Sequence, residues 1–234
     1  MKRIKLLVII DDLDKLRQVN QIKSIFIKNR RYIFELKCKK VFSIPTYLTT
    51  APEINNFIQN PIPQFVLNLK PNPFEPGIEK KKKKEDKKIE QNKELLKDVI
   101  KFRIDPEADL IDDNALDKAV EFSGGIIRQL VSIVRQAAVK VRSVHGKKVS
   151  EDDVTSAIHS LRDGIARTII STVKIDLLDN IDKEKKPVSE TSERFLEVLH
   201  ANNVLAYKNG NIWYELNPLI EDTVKIYAKK TEVK

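Results

Sequence analysis

The order of apolar and polar residues divides the chain into a β-rich first third, a helical middle and a mixed tail. Leu6-Leu7-Val8-Ile9-Ile10 is an unbroken apolar run, too short for a buried helix. It reads as a strand covered on both faces, as in a parallel sheet flanked by helices. The run ends in Asp11-Asp12-Leu13-Asp14. In open α/β sheets ligands bind outside the carboxyl ends of the strands, so the acidic pair is placed to meet one. The same carboxylates also suit the N-cap of a following helix. Leu16, Val19, Ile22, Ile25, Phe26 and Ile33, three or four residues apart, predict that helix. A second β-rich run, residues 38–48, is closed by Pro45 and carries Ser43 and Thr46 at its end, where hydroxyls also serve turns and caps. Phe65-Val66-Leu67-Asn68-Leu69, between proline-rich loops, predicts a third buried strand.

Residues 79–88 break this texture with seven Lys against three acidic residues. No face of such a segment can be buried, so it is a solvated linker or the polar start of a helix. From Leu95 the spacing becomes helical: Leu95, Leu96, Val99 and Ile100, then Leu116, Ala119 and Val120 after Asp113-Asn114. The chain turns at Ser123-Gly124-Gly125. A long amphipathic helix follows, with Ile126, Ile127, Leu130, Val131, Ile133, Val134, Ala137, Ala138 and Val141 inward. Ser150 with Asp153 makes a near capping box for a helix lined by Val154, Ala157, Ile158, Leu161 and Ile165. After a charged linker around 182–186, residues 191–201 read as a helix. Two β-rich runs then flank Asn209-Gly210, which predicts a hairpin with a type I′ turn.

Composition narrows the class. A chain of 234 residues with 41% hydrophobic content holds one large or two to three small domains with real cores. The single Cys38 cannot form an internal disulfide and the three His show no metal-ligand spacing, which fits a reducing cytoplasm and no structural zinc. The apolar run before Asp11 is too short for a signal peptide or a membrane span, so a soluble, cytoplasmic protein without membrane contact is expected. The net charge of +9 is concentrated in residues 1–73, which carry 13 Lys and Arg against 5 Asp and Glu. Such charge attracts nucleotide phosphates, nucleic acid or acidic partners, and a lysine-rich coding bias produces it too.

With these residues in order, the chain resembles the AAA+ and related STAND-type P-loop ATPases. Leu6–Asp14 resembles a Walker B strand, Cys38–Leu48 the sensor 1 strand, Phe122–Leu130 the sensor 2 turn and helix of the lid, and the helix and hairpin after 187 a winged helix. The resemblance implies a partial P-loop NTPase core of parallel strands and helices over 1–73, a basic linker over 74–93, a helical lid over 94–170, a linker over 171–186 and a winged-helix domain over 187–234. It implies Asp11 as the Mg²⁺ residue, acting through water, and Asp12 as the group that orients the attacking water. Ser43 or Thr46 is the sensor 1 hydroxyl, and Arg128 is the sensor 2 arginine, whose guanidinium forks onto phosphate oxygens. Arg30-Arg31 offer an arginine finger or a solvated helix face.

The chain departs from the family in one large respect. The phosphate-cradling P-loop, G-x-x-x-x-G-K-[ST], occurs nowhere in the 234 residues. ATP and Mg²⁺ are therefore expected only if a protein partner or a missing N-terminal segment completes the sheet and brings the P-loop. The function implied is an ATP-driven switch, inactive as this chain alone. The alternative is a non-enzymatic module that binds protein or DNA through a winged helix. The helix before the hairpin carries Glu190, Glu193 and Glu197 against Arg194, a poor match for nucleic-acid phosphate, which favours a protein-interaction or regulatory role.

Overall fold

The computed structural model describes residues 6–13, 16, 21, 23–29, 31–32, 35, 37–44, 66–74, 79–104, 109–143, 148–169, 172–190 and 192–232. Its elements are β1 (Leu7–Ile10), a π-helical turn (Ser24–Lys28), β2 (Lys39–Phe42), α1 (Glu79–Lys101), α2 (Asp113–Phe122), α3 (Ile127–Ser143), α4 (Glu151–Ile169), α5 (Thr172–Glu184), α6 (Glu193–His200), β3 (Val204–Lys208), β4 (Ile212–Leu216) and α7 (Glu221–Glu232). The chain forms two compact units, residues 1–64 with 189–201 and residues 65–188 with 202–234.

In the first unit β1 and β2 pair in parallel, with Leu7 opposite Lys39 and Ile10 opposite Phe42. Between them the π-helical turn buries Phe26 and is closed by Asn29, whose backbone and side-chain amides both donate to the Ser24 carbonyl. Of the helix expected around it, Val19, Ile22 and Ile33 lie outside the described residues. The expectation that β1 is covered on both faces is corrected. Leu7 is 53% and Ile9 66% exposed, and Val41 beside Ile9 is 53% exposed. Among the described residues the sheet has only two strands, too few to sandwich a central one, and only the face of Val8 and Phe42 is half-buried. α6 also belongs to this unit; Ser192 caps it by accepting from the Phe195 N–H.

The second unit is built on a helical core. Leu96 and Ile100 of α1, Leu116 and Val120 of α2, Leu130 and Ile133 of α3, and Val154 and Ile158 of α4 meet in one buried cluster. Leu95 and Ile127, expected inside, face solvent because each sits one position off the buried stripe of its helix. Ser150 and Asp153 close the capping box at the start of α4: Asp153 Oδ2 accepts from the Ser150 N–H and hydroxyl. The hydrogen bonds from Ser150 hold the Asp153 carboxyl below its usual range. β3 and β4 form an antiparallel hairpin around a second cluster of Leu205, Tyr207 and Trp213, the two rings stacked at 4.7 Å.

Several expectations change here. Residues 66–69 form no strand beside β1 and β2; they belong to the second unit and run along the hairpin, Val66 N–H donating to the Ala206 carbonyl at 3.3 Å. Asn68 and Asn72 make the other attachments through side chains, so a regular ladder is not needed. Of the two readings of the lysine run, linker or polar start of a helix, the structure shows the second, with the run at the start of the long helix α1; most of the second linker is α5, whose Ile175, Leu178 and Ile181 supply a buried stripe that the surrounding charges masked. The hairpin loop is three residues, since Lys208 pairs with Ile212, and only Gly210 in it has positive φ, so the type I′ expectation gives way to a longer loop.

The turn Ser123-Gly124-Gly125 is where helices and hairpin meet. Both glycines have positive φ, 59° and 88°, a region costly for residues with a Cβ. A Cβ on Gly125 would stand 2.2 Å from the Leu67 carbonyl oxygen, and one on Gly124 2.5 Å from Leu205 Cδ1. The Tyr207 hydroxyl donates to the Gly124 carbonyl at 2.7 Å. Gly125→Ala is expected to destabilise the protein by at least about 2 kcal/mol in denaturant unfolding, since it adds a left-handed alanine to a backbone overlap. Gly164→Ala, inside α4 with open space around it, is expected to stabilise by about 0.5–1 kcal/mol in the same measurement.

Candidate functional site

The parallel register decides what lies at the strand ends. Because Ile10 pairs with Phe42, the residues that follow them, Asp11 and Ser43, emerge at the same carboxyl end. The pairing extends one step further, with Ser43 N–H donating to the Ile10 carbonyl at 3.1 Å. The sequence thus places Asp11, Asp12 and Ser43 together through nothing more than strand alignment. Asp11 and Asp12 are exposed, and Asp11 Oδ1 accepts the Asp12 N–H at 2.8 Å. Asp12 takes φ 67°, a left-handed conformation that Asp adopts more readily than most residues. The chain therefore turns sharply at Asp12 as it leaves the strand.

Ser43 is different in character. Its Oγ is buried and has no hydrogen-bond partner among the described residues. A buried hydroxyl left unsatisfied costs about 1–3 kcal/mol, which the fold itself does not require of a serine. Thr46, the other hydroxyl of this strand end, lies outside the described residues. No three His, Cys, Asp or Glu side chains cluster as a metal cage among the described residues. Asp11 and Ser43 offer hard oxygen donors of the kind Mg²⁺ takes when most of its shell is water and phosphate.

Arg128 belongs to the second unit and is described there alone. It is exposed at the second residue of α3, immediately past the glycine turn. Its neighbour Gln129 is fixed by a reciprocal amide pair with Asn217, at 2.9 and 2.8 Å, and donates to the Phe122 carbonyl as well. The start of α3 is held rigidly while the guanidinium stays in solvent.

Sequence reasoning missed the polar framework around the hairpin. Glu85 of α1 accepts from the Asn72 N–H at 2.9 Å and from the Asn209 side chain. Asn209 in turn accepts from Trp213 Nε1, and Asn92 donates to the Asn68 carbonyl. On β4, buried Glu215 lies 2.8 Å from Lys185 and 3.3 Å from Lys70, and Lys185 also bridges Asp182. Burial pulls the Lys185 ammonium down, but the hydrogen bonds and charges of Asp182 and Glu215 outweigh it and leave it above its usual range. Burial, with the Glu215 charge beside it, also pushes the Tyr207 phenol up. The only signal for this framework in the sequence was an isolated Glu215 within an apolar run, which alternation alone would have turned to solvent. A cleft of about 760 Å³ lies between these elements, lined by Leu69, Lys93, Lys97, Tyr207 and Pro218 among others. Its lysines are matched, Lys93 by Glu90, Lys97 by Asp117 and Lys118 by Glu151, so it presents balanced ion pairs to solvent.

No protein-family model matches the sequence, and no curated protein matches it. Two solved structures of mutant forms of Thermotoga maritima RuvB are similar to 95% of this chain and 69% of theirs, each with a TM-score of 0.43, at 12% and 13% identity. No helix among the described residues is long and apolar enough to cross a membrane.

Two outcomes are expected. Ser43→Ala should leave thermal stability unchanged or raise it, by up to about 1–2 kcal/mol, because it removes an unsatisfied buried hydroxyl; a marked loss would show that the hydroxyl has a structural partner. Stability measured against pH should fall as pH rises past about 10, where the unfolded chain begins to lose protons that Tyr207 and Lys185 retain when folded, from ordinary values of 10.0 and 10.5. Tyr207→Phe with Glu215→Gln should flatten that alkaline limb.

Proposed function

We propose that this chain is the back half of an AAA+-like nucleotide switch, whose ATP chemistry requires a P-loop that the 234 residues do not contain. One observation carries the reading. Parallel pairing brings the acidic end of β1 and Ser43 after β2 to the same carboxyl edge, with Ser43 Oγ buried and unpartnered. An acidic pair and a hydroxyl at adjacent strand ends are the groups needed to hold a hydrated Mg²⁺ and a water against a terminal phosphate. In this reading Asp11 holds the magnesium through water, Asp12 orients the attacking water, and Ser43 or Thr46 positions it. When bound, Mg²⁺ supplies charge neutralisation on the phosphates.

The helices within residues 94–170 are the lid, with Arg128 as its phosphate-sensing arginine. A guanidinium fixed at a rigid helix start and left in solvent is suited to donate to phosphate oxygens when domains close. Residues 187–234 are read as a winged helix from their order of helix and hairpin in sequence, and as a protein-interaction or regulatory module. The exposed Leu7, Ile9 and Val41 favour a polypeptide partner or preceding segment that completes the sheet. The second reading, an interaction module without turnover, draws on the missing glycine-rich loop.

Mg-ATP binding and hydrolysis by the purified chain and by the complex recovered from its native source separate the two. The chain alone is expected to show no turnover and only weak ATP affinity. The native complex is expected to hydrolyse ATP, with loss of at least about 100-fold in Asp12→Ala, in the range typical for a positioned acid or base. A native complex that binds no nucleotide overturns the switch in favour of the interaction module. Turnover by the isolated chain that Asp12→Ala abolishes overturns the requirement for a P-loop from elsewhere.

A further inference from the structure

α1 divides into two electrostatic halves. In its second half Lys93 pairs with Glu90 and Lys97 with Glu94 and Asp117, which leaves Lys101 at the last position. In residues 82–88, Lys82, Lys83, Lys84, Lys87 and Lys88 are exposed and form no ion pair with any described residue. Of the two acidic residues within the segment, Glu85 turns inward to Asn72 and Asn209, and Asp86 alone remains outward. With 3.6 residues per turn, Lys83 and Lys87 lie opposite Glu85 and buried Ile89, and Lys84 and Lys88 extend the same exposed band along one flank of the helix.

This arrangement works against the helix that carries it. Lys83 with Lys87 and Lys84 with Lys88 are like charges four residues apart, each pair costing a few tenths of a kcal/mol. No ion pair with a described residue offsets them, and departures of this kind from local consistency are expected at functional surfaces. The face is also firmly held: Glu85 bonds it to Asn72 and to the hairpin loop at Asn209, within one compact unit.

We propose that this lysine face of α1 binds the phosphate backbone of duplex nucleic acid without reading its sequence. Ammonium groups at fixed spacing on a rigid helix complement a regular row of phosphates and release its counterions. No aromatic residue interrupts residues 79–101, so stacking on unpaired bases is not the mode, and a duplex is favoured over a single strand. An anionic membrane fits less well, because an interfacial helix needs an apolar face beside its basic one, and here Ile89 is turned into the protein. The site is independent of the nucleotide chemistry of the first unit and of the acidic helix α6.

The full chain titrated onto a labelled 25-base-pair duplex at a series of salt concentrations tests this. Expected is binding whose logarithm falls linearly with the logarithm of salt. In the combined variant Lys83→Gln, Lys84→Gln, Lys87→Gln, Lys88→Gln the slope should drop by about 3–4 units, at about 0.9 per lost phosphate contact, with affinity down at least about tenfold near 0.1 M salt. Gln supports helices nearly as well as Lys, and circular dichroism checks that α1 is retained. The matching Lys→Arg variant should bind like the parent. The proposal is overturned if the Gln variant binds duplex as the parent does. It is equally overturned if the parent fails to bind duplex at 50 mM salt, or prefers phosphatidylserine vesicles or polyglutamate to duplex.

Discussion

The second unit depends on one close approach of backbones. The Gly124-Gly125 turn lies against the Leu67 carbonyl on one side and the hairpin on the other, with no room for a side chain. Everything around it follows from that contact. The Tyr207 hydroxyl donates to the Gly124 carbonyl in this turn, and its ring, stacked on Trp213, lies in the second apolar cluster. On the other side of the turn, Gln129 and Asn217 lock the start of α3 to the chain that leaves β4. A helix bundle and a hairpin that share few apolar residues are joined through backbone and amide groups.

Those amides replace what a larger sheet would supply. Residues 66–72 lie beside β3 and attach mainly through Asn68 and Asn72, while Asn209 at the loop gathers Glu85, Trp213 and the Lys70 carbonyl. Buried amides of this kind fix geometry because each lost bond leaves a costly orphan. Glu215 performs the same service with charge: two lysines and, through Lys185, Asp182 surround one carboxylate on an otherwise apolar strand.

Local signals were legible in the sequence and long-range ones were not. The helices with clean periodicity stand out, as at Leu130, Ile133, Ala137 and Val141. The capping box at Ser150 and the hairpin itself also follow from spacing alone. The strand at Leu7–Ile10 was recognisable as a strand, but five apolar residues could not reveal how many neighbours cover it. Leu67 carries the same apolar signal as a core strand, yet it packs on the helical cluster while Val66, Asn68 and Asn72 beside it attach to the hairpin. α5 was hidden by its charges. At the candidate site, the common edge of Asp11 and Ser43 was readable from two strand ends in sequence, while the buried, unpartnered state of Ser43 Oγ depends on packing that no local pattern encodes.

The stitching of Asn68 to Lys208 spans 140 residues. A ribosome delivers the four helices of the bundle core long before it delivers β3, so for most of its synthesis the second unit exists as a bundle with an open seam at Val66 and the glycine turn. Contacts so distant along the chain form late and slowly. Residues 66–72 must wait, unpaired, for the last third of the chain to emerge. The seam therefore cannot close before the hairpin is made, and a translation pause before residue 204 would lengthen the time that Val66 and the glycine turn spend uncovered.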